Sequence, residues 1–103
     1  MFQIRRFETN PLIHPGLNEA IGENINGPSL IAVPEWVAHP LGRYYLYFAH
    51  HHGKSIRMAY ADDLRGPWSL YQGGVLRLNE TCCSEHIASP DVHVVHSERA
   101  IRL

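Results

Sequence analysis

Short runs of apolar and aromatic residues, broken at close intervals by proline and glycine, organise this chain, and helical periodicity is hard to find. Residues 29–33 (SLIAV) form a nearly continuous apolar run. Residues 43–49 (RYYLYFA) are bulky on both faces, as a strand buried on both sides requires. Residues 55–61 (SIRMAYA) alternate, with Ile56, Met58 and Tyr60 on one face and Arg57, Ala59 and Ala61 on the other. A fourth run, residues 68–71, follows the turn sequence DDLRGP. Linkers of a few residues favour antiparallel neighbours, so the pattern predicts a four-stranded meander in an all-β fold.

A faint repeat extends the pattern. PSLIAV at Pro28 has a counterpart in PDVHVV at Pro90, and each is followed by a turn and a further strand-like run. The spacing is roughly 60 residues, larger than the about 40–50 of common propeller repeats. The second copy reaches only AIRL, at residues 100–103. Sheet units with two apolar faces need neighbours, so the expectation is a fragment: one sheet unit and the opening of a second.

Composition narrows the class. A hydrophobic content of 45% with 18% charged residues is ordinary for a globular domain and argues against disorder. A formal net charge of -1, with no Lys/Arg run, argues against nucleic acid or an anionic membrane as partner. No apolar stretch is long enough for a membrane span and no signal peptide is visible. Cys82 and Cys83 are adjacent and make no disulfide framework, which fits a reducing, cytoplasmic setting. No pattern requires a cofactor. The eight histidines are many for this length, and three of them, His50, His51 and His52, are consecutive.

The ordered set NGPSLIAVPEW, GRYYLYFAHH, IRMAYADDLRGPWSLY and HIASPDVHV resembles the five-bladed β-propeller glycosidases, in particular the family-43-like arabinanases and xylosidases. That fold class also holds invertase-like enzymes and mannoside phosphorylases. The resemblance covers most of residues 24–94. It implies an N-terminal opening segment at residues 1–27, a first four-stranded blade at 28–76, an inter-blade loop at 77–88 and a truncated second blade at 89–103. It also implies that residues 2–7 serve as a strand closing the ring, and that carbohydrate binds at a central funnel.

In such a blade the first strand leaves the funnel and the second returns, so residues before Ser29 and after Ala49 are expected at one rim. The candidate substrate-binding set is Asn24, Asn26, His50, His51, His52, His86 and Asp91. Neutral imidazole, carboxamide and carboxylate offer the donors and acceptors that sugar hydroxyls need. Hydrolysis needs two carboxyl groups flanking the bond. The family's general base is an Asp directly before the first blade's proline, and Gly27 stands there in this chain. The acid and its tuning Asp come from later blades, so this chain is not expected to hydrolyse a glycoside itself. A non-catalytic carbohydrate-binding propeller is the alternative.

A second alternative is a metal-dependent hydrolase, with His50 and His52 on one face and His86 or Asp91 completing the shell. No HExxH or CxxC pattern accompanies it. A thiol nucleophile at Cys82 or Cys83 and a Ser84–His86–Asp91 triad lack any geometric warrant in the sequence. Tyr44, Tyr45 and Tyr47 read as packing residues, Asp62 and Asp63 as turn caps, and Trp68 as a core anchor.

Overall fold

Pro28 and Gly27 set the first structural event in the chain, a break in an otherwise regular strand. The computed structural model describes residues 1–103. Strand β1 (Asn26–Ala32) pairs antiparallel with β2 (Tyr44–Ala49), and β2 with β3 (Ser55–Ala61). Ser29 faces Tyr47 and Asn26 faces Ala49, so the segment with Gly27 and Pro28 bulges out of register. Proline cannot donate to a ladder, and Gly27 takes φ +57, so the bulge falls where the backbone chemistry requires it.

The outer edge of β3 is shared by two short strands, β4 (Ser69–Leu70) and β5 (Leu76–Arg77). Leu70 faces Ala59 and Leu76 faces Ile56, so the outer strand carries more residues than β3 can pair. The excess turns out at Gly73 and Gly74, both with positive φ. Amide bonds from Tyr71 to the Met58 carbonyl and from Val75 to the Ile56 carbonyl, each 2.8 Å, hold it on either side. The fold is thus all-β, an antiparallel sheet in meander order with a divided last strand. A separate hairpin, β6 (His93–Val95) with β7 (Ala100–Arg102), begins within the second copy of the repeat. Apart from strands there are only three-residue 3-10 turns.

Both faces of the sheet are covered, each by a different end of the chain. On one face Tyr45, Tyr47, Ile56 and Met58 pack with Ile31 and Ala49 against Ile87 and Val92, with Val94 and Ile101 at the margin. On the other, Phe48 and Ala59 pack against Ile21, with Ile13, Ile25 and Trp68 around them. Phe48 and Ile21 are each 1% exposed, and burying side chains of this size stabilises by about 1.5–3 kcal/mol apiece. The tyrosines of β2 are packing residues: Tyr45 and Tyr47 stack edge to face at 6.4 Å, and the Tyr45 hydroxyl accepts from the Leu41 amide at 3.0 Å. Trp68 anchors the second core and donates its indole N–H to the Leu64 carbonyl at 3.2 Å.

The cover on the second face is partial. Leu30 of β1, one step across the ladder from Leu46, is 50% exposed. Residues 2–7 join no strand of this sheet, and Phe2 and Ile4 lie open to solvent.

Candidate functional site

The site is built where the bulge of β1, the β2–β3 turn and the approach to the second hairpin meet. After Ala49 the chain leaves the sheet in a turn, with the Gly53 amide donating to the His50 carbonyl at 3.0 Å. The His52 amide donates to Nδ1 of His50 at 3.1 Å, so the His50 ring braces the turn from inside. His51 and His52 are exposed, with ring centroids 4.6 Å apart in edge-to-face contact. His50 and His52 lie at a turn beyond the strand, so strand alternation does not set the directions of their side chains.

Asn24 ties the turn to the other side of the rim. Its Oδ1 accepts from the His51 amide at 3.0 Å, and its carbonyl accepts from the Arg57 guanidinium at 2.8 Å. Arg57 in turn lies 4.9 Å over the Phe48 ring. Partial burial pulls its pKa below the ordinary arginine value. Arg57 has no carboxylate partner, so the cation is held by a carbonyl and an aromatic face. Asn26, at the bulge, keeps its Oδ1 buried with no hydrogen-bond donor. A buried acceptor without a donor carries a desolvation cost of about 1–3 kcal/mol.

The segment from His86 to Asp91 closes the rim. The Ile87 amide donates to the Gly53 carbonyl at 2.9 Å, and the Val92 amide to Oγ of Ser29 at 3.0 Å. The His86 ring meets His52 at 5.3 Å between centroids. Asn24, His51, His52 and His86 are therefore drawn together from three separated stretches, and the histidine run and the Ser89–Pro90–Asp91 segment lie at the same end of the sheet. Asp91 is on this segment, yet its carboxylate pairs at 2.9 Å with Nε2 of His93, and both side chains are exposed. It is thus engaged with a near neighbour in sequence rather than with the histidine cluster.

No group of three His, Cys, Asp or Glu side chains is placed to hold a metal ion. The adjacent imidazoles contact ring edge to ring face, which turns their nitrogens in different directions. Cys82 and Cys83 are free and exposed.

Beside the rim runs a groove of about 660 Å³ whose wall includes Lys54, Ser55, Arg77, Asn79, Thr81 and Ser84. Sequence reasoning missed it, because Arg77 and Asn79 come to the start of β3 only through the two-residue strand β5. The available signal was Lys54, the chain's only lysine, directly after the histidine turn. A second groove, of about 610 Å³, lies at the opposite end of the strands, where Asp62 accepts from the Arg43 amide at 3.2 Å.

No family model matches the sequence, and no solved structure matches it. An uncharacterised protein of Acanthamoeba polyphaga mimivirus, R118, is 34% identical over 118 aligned residues, covering 95% of this chain. The chain spans 33% of the length of that relative. No helix is long and apolar enough to cross a membrane.

Proposed function

We propose that this chain presents a carbohydrate-binding rim, as part of a propeller-type assembly related to the family-43-like glycosidases. The observation that carries the reading is the meeting of Asn24, His51, His52 and His86 from three separated stretches of the chain. Exposed imidazoles and carboxamides supply donors and acceptors for hydroxyls, and ring faces supply a surface for sugar C–H groups. The antiparallel meander and the following hairpin serve, in this reading, as a first blade and the opening of its neighbour. Asp91 contributes at the margin of the rim, and His50 acts by shaping the turn.

Binding without hydrolysis is favoured over catalysis by this chain. At the position of the family's general base a side chain is sterically excluded: a Cβ at residue 27 would lie 2.4 Å from the Cα of Ser89. The rim then lacks the two carboxyl groups that flank a scissile glycosidic bond. A hydrolytic reading draws its carboxylates from outside these residues.

Titration of the isotope-labelled chain with arabino- and xylo-oligosaccharides, followed by amide and imidazole NMR, tests the proposal. The expected shifts are at His51, His52 and His86, with loss of binding in His52→Ala and His86→Ala and no release of reducing sugar. Shifts scattered over the surface, or none at saturating sugar, would refute it.

A further inference from the structure

The groove beside the histidine rim holds two cations that nothing neutralises. Ion pairs join Arg65 to Asp63 and Arg102 to Glu98, but neither Lys54 nor Arg77 has a carboxylate partner. No Asp or Glu lines the groove, which otherwise offers hydroxyl and carboxamide groups from Ser55, Asn79, Thr81 and Ser84. In a chain with ten acidic residues, this groove is lined by two cations and no carboxylate, with Glu80 and Glu85 in the flanking segments.

The groove is also braced. The Leu78 amide donates to the Lys54 carbonyl at 2.8 Å, which fixes the far wall to the start of β3. The Thr81 hydroxyl donates to the Leu78 carbonyl at 2.8 Å and accepts from the Cys83 amide at 3.2 Å. Glu80, beside the groove, accepts from the Arg77 backbone amide at 2.7 Å and makes no ion pair with its guanidinium. The Lys54 ammonium donates to the Glu85 carbonyl. That contact places it next in the chain to His86 and leaves two of its protons for another acceptor.

We propose that this groove is an anion subsite continuous with the rim, so that the preferred ligand is a sugar bearing a carboxylate or phosphate group. The sugar part of this statement rests on the carbohydrate reading above. The anion part rests on Lys54 and Arg77. Ammonium and guanidinium both make charge-assisted hydrogen bonds to carboxylate and phosphate oxygens, stronger than those between neutral groups. An anion in the groove would sit one residue from the imidazoles that take the hydroxyls. Because the groove is open to solvent, the preference must weaken as salt rises.

The test compares glucose, glucuronate, glucose 6-phosphate and inorganic phosphate on the 103-residue chain, by calorimetry and NMR at low and moderate salt. The expected result is glucuronate or glucose 6-phosphate binding at least about ten-fold tighter than glucose, a factor of about 1.4 kcal/mol. Lys54→Gln and Arg77→Gln should each remove most of that factor while leaving glucose binding unchanged. Retained amide dispersion in both variants verifies the fold, and Arg77→Gln touches none of the contacts that hold Lys54. Which of the two anionic sugars gains the factor identifies the carboxylate or the phosphate as the recognised group.

Equal affinity for glucose and its anionic derivatives would overturn the subsite and leave the carbohydrate reading intact. Phosphate-dependent shifts at Lys54 and Arg77, with no sugar effect at the histidines, would support the subsite and overturn the carbohydrate reading. Absence of every response would overturn both.

Discussion

Gly27 and Ser89 meet backbone to backbone, at the point where the bulge of β1 touches the segment leading to the second hairpin. Both residues have positive φ, 57° and 52°, and a side chain on Gly27 would bring its Cβ within 2.4 Å of the Ser89 Cα. Two left-handed residues far apart in sequence thus lock the rim. The contact leaves no room for any residue but glycine.

Gly27→Ala and Gly27→Asp should therefore destabilise the chain alike. A non-glycine residue in this conformation costs about 1–2 kcal/mol before the collision with Ser89 is counted, and about 2–4 kcal/mol in total is expected. Chemical denaturation of the two variants checks this. Stability near wild type in Gly27→Asp would show that the family's carboxylate fits after all.

The tyrosines of β2 should separate on loss of their hydroxyls. Tyr45→Phe leaves the Leu41 amide without its acceptor and should cost about 0.5–1.5 kcal/mol at neutral pH. Tyr47→Phe breaks no hydrogen bond and should be close to neutral there. Burial, and then the neighbouring Tyr45, push the Tyr47 phenol above its ordinary value of 10.0. Its raised folded pKa means that wild-type stability is complete below pH 10 and is lost as pH rises through that folded value. Melting curves from pH 7 to 11 should show Tyr47→Phe retaining stability in the alkaline range where the wild type loses it.

Asp63 should titrate well below an ordinary carboxylate. Hydrogen bonds from the Arg65 side chain and amide, at 2.8–3.0 Å, hold its pKa down to about 2. Because the folded value is depressed, what this group contributes is complete above the ordinary value of 3.8 and is withdrawn as pH falls towards 2. A carboxyl-carbon titration should give a midpoint of about 2 in the wild type. Arg65→Gln should raise it part of the way towards 3.8, because the residue 65 amide still donates to the carboxylate.

Asn24 should control the order of the histidine turn. Asn24→Ala removes the acceptor for the His51 amide but keeps the carbonyl that holds Arg57. Hydrogen exchange at His51 should accelerate by about ten-fold or more, as one hydrogen bond of roughly 1.4 kcal/mol implies. Exchange within β3 should not change. Unaltered exchange at His51 would mean that the turn is held without Asn24.

Where the fold was legible in the sequence, local pattern and tertiary packing agreed. Residues 55–61 alternate strictly, and they form β3 with Ile56 and Met58 in one core and Ala59 in the other. Residues 43–49 were readable as a doubly buried strand because both ends of the chain cover it. The last strand was less readable. The run at residues 68–71 yields only β4, and Leu76–Arg77, two residues with no pattern of their own, supply the rest through pairing with Ser55 and Ile56. The rim was foreseen through order along the chain, which put residues before Ser29 near those after Ala49. The inward turn of His50, the pairing of Asp91 with His93 and the role of Arg57 depend on side-chain direction, which spacing does not encode.

The two covers of the sheet come from opposite ends of the polypeptide, and this orders its birth. As the chain is synthesised, residues 13–25 are available to shelter Phe48 and Ala59 as soon as β2 and β3 exist. Tyr45, Tyr47 and Ile56 must wait for Ile87 and Val92 to be made. During that interval one side of the nascent sheet is greasy and unpaired, so chaperone dependence and co-translational clumping should both trace to the tyrosine side.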